Sequence, residues 1–254
     1  WPLPAGVSYN AYLINDEKTC LVDTVEADFF LPFLENLREV LGQRPLDYVV
    51  VNHMEPDHSG SLALIRQYYP GVQIIGNKKT FDMMRGFYRL EDGLIEVKNG
   101  DTLSLGAYTL TFVLTPMVHW PEVMVTYEES EKILFSADAF GTFSALENNE
   151  EWIADASHYY FNIVGKYGAQ VQALLKKIAP LEIRVICPLH GPVLSENLSY
   201  YLDLYQTWSA YGTETEGVCI CYTSVYGHTQ EAVEQLASML EEKGCPKVAG
   251  NDLA

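Results

Sequence analysis

The chain has 254 residues, of which 48% are hydrophobic and 20% are charged, as in a globular protein. Its 34 acidic residues outnumber its 16 basic residues, so the formal net charge is −18. A surface this acidic repels phosphate groups, which argues against binding to nucleic acid or to an anionic membrane surface. The sequence has no apolar run near the ~18 residues of a membrane span and no signal-peptide pattern at its start. We therefore expect a soluble, cytoplasmic protein.

Strand and helix patterns alternate along most of the chain. In chain order, the apolar spacing first predicts strands Tyr9–Ile14 and Thr19–Val25, helix Asp28–Leu41, strand Tyr48–Val51, helix Ser61–Tyr69, strand Val72–Ile75 and helix Thr80–Tyr88. It then predicts strands Leu94–Val97, Thr102–Leu105, Tyr108–Leu114, Val123–Tyr127 and Ile133–Ser136, helix Ala154–Ile178, strand Arg184–Cys187 and helix Glu196–Ala210. This order predicts a layered α/β fold with helices on both outer faces.

A polar, glycine-containing segment, Tyr211–Glu216, marks the predicted domain boundary. We expect a first domain over residues 1–210, a linker over residues 211–216 and a second domain that begins at residue 217. After the linker, strand Val218–Tyr222, loop Thr223–Thr229 and helix Gln230–Lys243 have the order of a doubly wound nucleotide-binding unit. The 38 residues of 217–254 are fewer than the ~50 that a domain needs. We therefore expect the second domain to be truncated.

The five cysteines do not form a recognisable metal or disulfide pattern. Their number is odd and no Cys-x-x-Cys spacing occurs, which argues against a disulfide framework and a thiolate zinc site. Cys219 and Cys221 share one face of a predicted strand. We expect both to fill a core as reduced thiols.

Potential metal ligands lie in four loops next to predicted strands. The seven residues are His53, Glu55, Asp57, His58, His119, Asp138 and His190. Alternate positions of an extended loop point to one side, so the first three can converge. Four imidazoles and three carboxylates are too many donors for one tetrahedral ion but suit two ions. Asp138 is the natural bridge, because a carboxylate has two oxygens.

These residues carry a resemblance to a known family. The pattern His-x-Glu-x-Asp-His over residues 53–58 resembles that of the flavodiiron proteins, or A-type flavoproteins, and the resemblance covers essentially residues 5–254. The supporting phrases are Asn10-Ala11-Tyr12-Leu13, His119-Trp120-Pro121, Asp138-Ala139-Phe140-Gly141 and His190-Gly191-Pro192. The resemblance implies a metallo-β-lactamase-like αββα sandwich that lacks its first strands. The first β-loop-α of a flavodoxin-like domain follows it.

The resemblance also implies the role of each ligand. His53, Glu55 and His119 would hold one iron ion, and Asp138 would bridge it to a second. Asp57, His58 and His190 would hold that second iron, although the position of His58 is not a ligand in every member of the family. The hydrolases of this fold usually have a histidine where this chain has Glu55, and a carboxylate there favours iron over zinc. Glu55 and Asp138 are therefore the predicted catalytic residues.

The loop after the predicted strand Val218–Tyr222 resembles the phosphate loop of flavodoxins. Its residues are Thr223, Ser224, Val225, Tyr226, Gly227, His228 and Thr229. Small hydroxyl residues and glycine let backbone N–H groups surround a phosphate at a helix N-terminus. The resemblance implies that this loop binds FMN in the full-length protein. We expect no tightly bound FMN in this chain, because the loops that clasp the flavin ring come later in such domains.

The implied activity is the reduction of dioxygen to water, of nitric oxide to nitrous oxide, or of both, at a diiron centre that FMN re-reduces. The implied partners are an electron donor, often a rubredoxin, and further copies of the chain in a head-to-tail homodimer or dimer of dimers. One alternative is a dinuclear zinc hydrolase of the same fold, which Glu55 and the phosphate loop argue against. Another is a non-catalytic remnant, which the complete ligand set argues against.

Overall fold

The computed structural model describes residues 6–145 and 152–253 of the chain. Residue contacts divide the chain into two compact units, Trp1–Ala210 and Tyr211–Ala254. Within the described residues, no helix is both long enough and apolar enough to cross a bilayer.

A five-stranded sheet makes up the first half of the larger unit. Its strands are β1 (Tyr12–Asn15), β2 (Thr19–Val22), β3 (Tyr48–Val50), β4 (Gln73–Gly76) and β5 (Leu94–Glu96), in that spatial order. The first two form an antiparallel hairpin, and all later neighbours are parallel. The parallel pairs need crossover connections, which contain helices α1 (Phe30–Leu41), α2 (Pro56–Ser59), α3 (Leu62–Tyr68) and α4 (Lys78–Tyr88).

A second five-stranded sheet follows. Its strands are β6 (Thr102–Ser104), β7 (Thr109–Leu114), β8 (Met124–Glu128), β9 (Ile133–Phe135) and β10 (Val185–Cys187), in the reverse spatial order from β10 to β6. The first four form an antiparallel meander, and β10 pairs with β9 in parallel. Helices α5 (Trp152–Tyr159) and α6 (Gly168–Ile178) precede β10, and α7 (Leu198–Ser209) follows it.

The two sheets pack against each other through their inner faces. Val22 and Val50 of the first sheet share a buried cluster with Phe112 and Cys187 of the second. Successive side chains of a strand point to opposite faces, so the neighbouring residue Val49 points outward, into the cluster that lies under α1, α3 and α4.

The second sheet is covered in the same way on its own outer side. Val125 of β8 and Ile186 of β10 pack with Leu174 of α6 and Trp208 of α7. The layers are therefore helices, sheet, sheet and helices. This arrangement confirms the predicted αββα sandwich.

One predicted helix is interrupted. The apolar spacing predicts a continuous helix over Ala154–Ile178, but a wide π turn at Tyr160–Val164 and a short 3-10 turn separate α5 from α6. The Tyr159 ring lies 5.6 Å from the ring of His190, whereas the next ring, of Tyr160, packs 5.2 Å from Trp208. A π turn has i→i+5 hydrogen bonds, so it adds only one residue to the helical repeat. Such a small change is difficult to detect in the spacing of apolar residues along the sequence.

The smaller unit is a β-α-β unit. Strand β11 (Val218–Tyr222) is followed by helix α8 (His228–Glu242) and by β12 (Val248–Asp252), which pairs with β11 in parallel. The predicted strand, loop and helix are present, and β12 is an additional strand. The expectation for Cys219 and Cys221 is wrong, because both are exposed. Their strand pairs only with β12 in the described part of this unit, so most of its surface remains accessible.

Tyr205 of α7 connects the outer helix layer to the loop after β9. Its hydroxyl accepts the backbone N–H of Phe140 at 2.6 Å, and the two ring centroids are 4.2 Å apart. Phe140 has a positive φ of 68°, which is uncommon for a bulky residue. Asp138 lies two residues before this turn. The hydrogen bond therefore helps to fix the backbone that presents Asp138.

We predict that Tyr205→Phe lowers the free energy of unfolding by about 1–3 kcal/mol, because the buried N–H of Phe140 loses its acceptor. Urea unfolding at constant pH measures this change. Tyr127→Phe is the matched control, since its hydroxyl donates to the carbonyl of the exposed residue Glu182, which water can satisfy. An equal loss of stability in both variants would contradict the prediction.

Candidate metal centre

The seven predicted ligands converge where four strands of the two sheets end. Residues 53–58 follow β3, His119 lies between β7 and β8, Asp138 follows β9, and His190 follows β10. Four of the seven side chains are buried, and the other three are partly exposed. The site is therefore a largely enclosed group of polar side chains built from widely separated parts of the chain.

Four of these residues form a first cluster. The Nε2 atoms of His53 and His119 lie 3.2 and 3.0 Å from Oε2 of Glu55. The same two nitrogens lie 3.3 and 3.0 Å from Oδ2 of Asp138. All four donor atoms are within 4.8 Å of one another, which is close enough to surround one metal ion.

The other three residues form a second cluster. Oδ2 of Asp57 lies 3.3 Å from Nε2 of His58 and 3.4 Å from Nε2 of His190, and the two nitrogens are 3.0 Å apart. Oδ1 of Asp138 faces this cluster, at 3.2 Å from His58 and 3.7 Å from His190. Asp138 therefore presents one carboxylate oxygen to each cluster, which is the arrangement that a bridging ligand requires.

Residues 53–58 form the first ligand loop, and the short helix α2 within it divides its four ligands between the two clusters. His53 and Glu55 precede it, and Glu55 has φ −58° and ψ 139°, whereas Asp57 and His58 lie in its single turn. Pro56 occupies the first helical position, where its missing N–H costs no hydrogen bond. The turn closes at Gly60, where a Cβ atom would lie 2.5 Å from the carbonyl oxygen of Pro56. Asp57 therefore reaches the site from a helical turn and not from the extended backbone that the sequence analysis assumed.

The donor set fits a pair of transition-metal ions. Oδ1 of Asp57 is buried without a hydrogen-bond partner in the described part of the chain. The Nε2 atoms of His58 and His190 face each other at 3.0 Å, so both are placed to donate a lone pair to a single cation. Imidazole and carboxylate donors without thiolates suit iron, manganese or zinc.

Comparison with known proteins gives the family. Residues 7–191 match the model of a family described as ODP family beta lactamase. This chain belongs to that family. The metallo-β-lactamase-like fold predicted from the sequence is thereby confirmed.

Relatives of this β-lactamase-like chain include flavodiiron proteins. It is 34% identical over 248 residues to the anaerobic nitric oxide reductase flavorubredoxin of Aliivibrio fischeri, covering 93% of this chain and 50% of that relative. It superimposes on the flavodiiron protein of Giardia intestinalis with a TM-score of 0.92 and 27% identity, covering 99% of this chain and 64% of the other. The rubredoxin oxygen:oxidoreductase of Desulfovibrio gigas gives a TM-score of 0.88 and 31% identity, covering 97% and 65% of the two chains. These matches confirm the predicted resemblance to flavodiiron proteins, and the chain spans about half to two thirds of these relatives' length.

Contacts between the histidines and the carboxylates determine the protonation states of the site. Burial raises the pKa of the Asp138 carboxyl, but the charge of His53 and hydrogen bonds from His119, His53 and His58 outweigh burial and hold that pKa well below its usual range. Burial likewise raises the pKa of Glu55, but hydrogen bonds from His119 and His53 bring it down to about 2. Both carboxylates are therefore ionised and ready to accept a cation. Metal binding must then displace protons from the three histidines whose pKa is raised, which are His53, His119 and His190.

Asp23, which the sequence analysis did not single out, supports the first ligand loop. Its Oδ1 accepts the backbone N–H groups of Asn52 at 2.8 Å and of His53 at 3.2 Å. Burial raises the pKa of Asp23 to about 7, although these N–H groups lower it in part. Its φ of 57°, directly after β2, could not be read from the local sequence.

We predict that Asp23→Asn removes a pH dependence of stability. The folded metal-free chain keeps the Asp23 proton up to about pH 7, whereas an unfolded aspartate releases it near pH 3.9. The free energy of unfolding therefore falls as pH rises through this window, by at most about 1.4 kcal/mol per pH unit. Asparagine keeps the acceptor oxygen but does not titrate. Urea unfolding should show the variant gaining stability over wild type as pH rises, and the exposed Asp28→Asn control should show no such gain.

The predicted flavin loop leads directly into α8 of the smaller unit. Gly227 has a φ of 86° and immediately precedes the helix, and the backbone N–H of Gln230 lies 3.4 Å from Oγ of Ser224. The side chains of Val225 and Tyr226 are exposed. The loop thus ends in a glycine of positive φ directly before the N-terminal end of α8, the end of a helix that attracts anions.

Proposed function

We propose that this chain carries the diiron centre of a flavin-dependent oxidoreductase that reduces dioxygen to water, nitric oxide to nitrous oxide, or both. The observation that supports this most directly is Asp138, with one carboxylate oxygen facing each cluster at 3.0–3.7 Å from the histidine nitrogens. Two iron ions held by these residues would supply two electrons to a bound diatomic molecule, and re-reduction through the flavin would supply the further two that dioxygen needs to become water. The relatives named for nitric oxide reduction and for rubredoxin:oxygen oxidoreduction support both substrates.

Each ligand has a proposed place in this centre. His53, Glu55 and His119 hold one ion, and Asp57, His58 and His190 hold the other. Asp138 would hold both ions with its two oxygens, and its negative charge, with that of Glu55, would stabilise the oxidised form of the metal pair. We therefore assign Glu55 and Asp138 as the catalytic residues.

The small substrates reach the centre from the side of the two carboxylates in the first ligand loop. The side chains of Glu55 and Asp57 are 36% and 23% exposed, whereas those of His53 and His58 are fully buried. The buried histidines exclude water from the inner side, and the open side admits a diatomic molecule.

We propose that the loop Thr223–Thr229 grips the phosphate of FMN with its backbone N–H groups at the start of α8. This proposal concerns the full-length protein, in which bound FMN would supply the route for electrons from a rubredoxin-like or other donor to the iron pair. A head-to-tail homodimer or dimer of dimers would let the flavin of one subunit serve the irons of its partner. The flavorubredoxin relative supports a donor of this kind.

The alternative function is hydrolysis by two zinc ions, since the fold also serves hydrolases. A zinc hydrolase needs a hydroxide between its metals and no flavin. Glu55 supports the oxidoreductase, because a carboxylate donor favours iron where an imidazole favours zinc. The flavin loop supports it independently.

We predict that the chain binds two metal ions and that iron occupies both sites when iron is available. The chain would be produced with iron in the medium, purified without oxygen and subjected to elemental analysis. A single ion per chain, or zinc in protein made with ample iron, would contradict the diiron proposal. Hydrolysis of a β-lactam or thioester by the zinc-loaded chain would favour the alternative.

We also predict that Glu55→His shifts metal preference towards zinc and slows oxidation of the reduced iron-loaded chain by dioxygen or nitric oxide. The loss of one negative charge makes the oxidised pair less stable, and each 1.4 kcal/mol added to the barrier slows the reaction about tenfold. Stopped-flow absorbance follows the oxidation after excess reductant has been removed, with metal content measured in parallel. Glu35→His adds a histidine to the exposed face of α1 and serves as the control. Unchanged iron content and rate in Glu55→His would refute the role of Glu55.

A further inference from the structure

Glu122 is a buried carboxylate that lies just behind the first cluster. Its side chain is fully buried, and its Oε1 lies 2.9 Å from Nδ1 of His53. The same oxygen accepts the backbone N–H of Met54 at 2.9 Å. Glu122 thus contacts the ring of His53 on the side that faces away from the other donor atoms of the cluster.

The position of Glu122 is itself fixed by the neighbouring helix. Its backbone carbonyl accepts a hydrogen bond from Nδ2 of Asn77, and Oδ1 of Asn77 caps the N-terminus of α4. Glu122 also lies three residues after His119. The loop between β7 and β8 therefore supplies both the candidate ligand His119 and the carboxylate that contacts His53. The carboxylate therefore has little freedom to move away from His53.

This contact selects which nitrogen of His53 faces the metal. A neutral imidazole carries its proton on one nitrogen and a free lone pair on the other. A carboxylate beside Nδ1 keeps the proton there and leaves the lone pair on Nε2, which faces Glu55 and Asp138. Such pairing orients a ligating histidine and makes it a stronger donor.

The histidines of the second cluster lack a comparable carboxylate in the described part of the chain. Nδ1 of His190 contacts the backbone carbonyl oxygen of Ser8 at 2.8 Å, and Nδ1 of His58 is buried without a partner. The Nδ1 atoms of the histidines in the two candidate metal sites therefore have different hydrogen-bond partners. Within the described residues, a carboxylate group lies directly behind a candidate ligand histidine at the first site and not at the second.

We propose that Glu122 is a positioning residue that holds the Nδ1 proton of His53, fixes Nε2 as the ligand atom and strengthens the first metal site relative to the second. This inference rests on the proposed metal pair. Only one of the two carboxylate oxygens of Glu122 has a hydrogen-bond partner. The other, Oε2, is buried without one in the described residues, and this makes an ionised Glu122 costly. A metal ion on the opposite side of the imidazole offsets that cost.

The test compares Zn²⁺ binding by wild type, Glu122→Ala and Glu122→Gln. Each chain would be stripped with a chelator and titrated with Zn²⁺ in competition with a chromophoric chelator, which resolves a stronger and a weaker site. We expect Glu122→Ala to lose 10–100-fold in affinity at one site only, as is typical when an outer partner of a ligating histidine is removed. Glutamine keeps an acceptor oxygen without the charge, so Glu122→Gln should lose less.

Glu128→Gln is the matched control. Glu128 is also buried, lies at the end of β8 and accepts backbone N–H groups of Ser130 and Glu131, but it belongs to neither cluster. Its replacement should leave both Zn²⁺ affinities unchanged. Circular dichroism checks that every variant is folded. If Glu122→Ala does not fold, the comparison of Glu122→Gln with wild type still tests the proposal.

Nitrogen-15 NMR of the zinc-loaded chains supplies a readout that a purely structural role would not change. We expect the His53 ring to carry its proton on Nδ1 in wild type and to lose this fixed tautomer in Glu122→Ala. If wild type binds two Zn²⁺ ions and both variants match its affinities and its tautomer, Glu122 is not a positioning residue and the metal pair stands. If wild type binds fewer than two Zn²⁺ ions, the proposed metal pair fails and this inference fails with it.

Discussion

The carboxylate of Asp138 lies between four imidazole nitrogens, and the geometry of the whole site depends on this contact. Its side chain is buried, and each of its oxygens faces a different cluster. A lone buried charge of this kind would be costly, so the surrounding histidines and any bound cations have to compensate for it. The backbone around it is equally constrained, since Ala137 and Phe140 both have positive φ and Tyr205 holds the N–H of Phe140.

The fold places Asp138 there by joining two sheets that are distant in sequence. β3 belongs to the first sheet, whereas β8, β9 and β10 belong to the second, and each contributes a loop at the same place. The site therefore exists only when the inner faces of the sheets are packed together. Residues such as Val50 and Phe112 support the site through that packing, although they lie outside the clusters.

The two clusters differ in ways that matter for chemistry. The first has two orienting carboxylates around His53, with Asp23 on its backbone and Glu122 on its ring. It also has the more exposed carboxylate, Glu55. The second cluster contains the fully buried His58, whose pKa burial lowers despite the nearby carboxylates. A low pKa leaves that imidazole neutral and available as a ligand without loss of a proton.

The sequence by itself determined the layered α/β class, and it predicted the seven candidate ligands and the boundary near residue 211. These are local properties, because ligand type, strand-end position and apolar period can each be read within a few residues. The tertiary structure alone decided that α2 sends Asp57 and His58 to the second cluster, that a π turn splits the predicted helix, and that Glu122 lies behind His53. Glu122 and His53 are separated by 69 residues. No local pattern distinguishes such a glutamate from the many acidic residues on the surface of a chain this negative, because its role comes from packing between the two sheets.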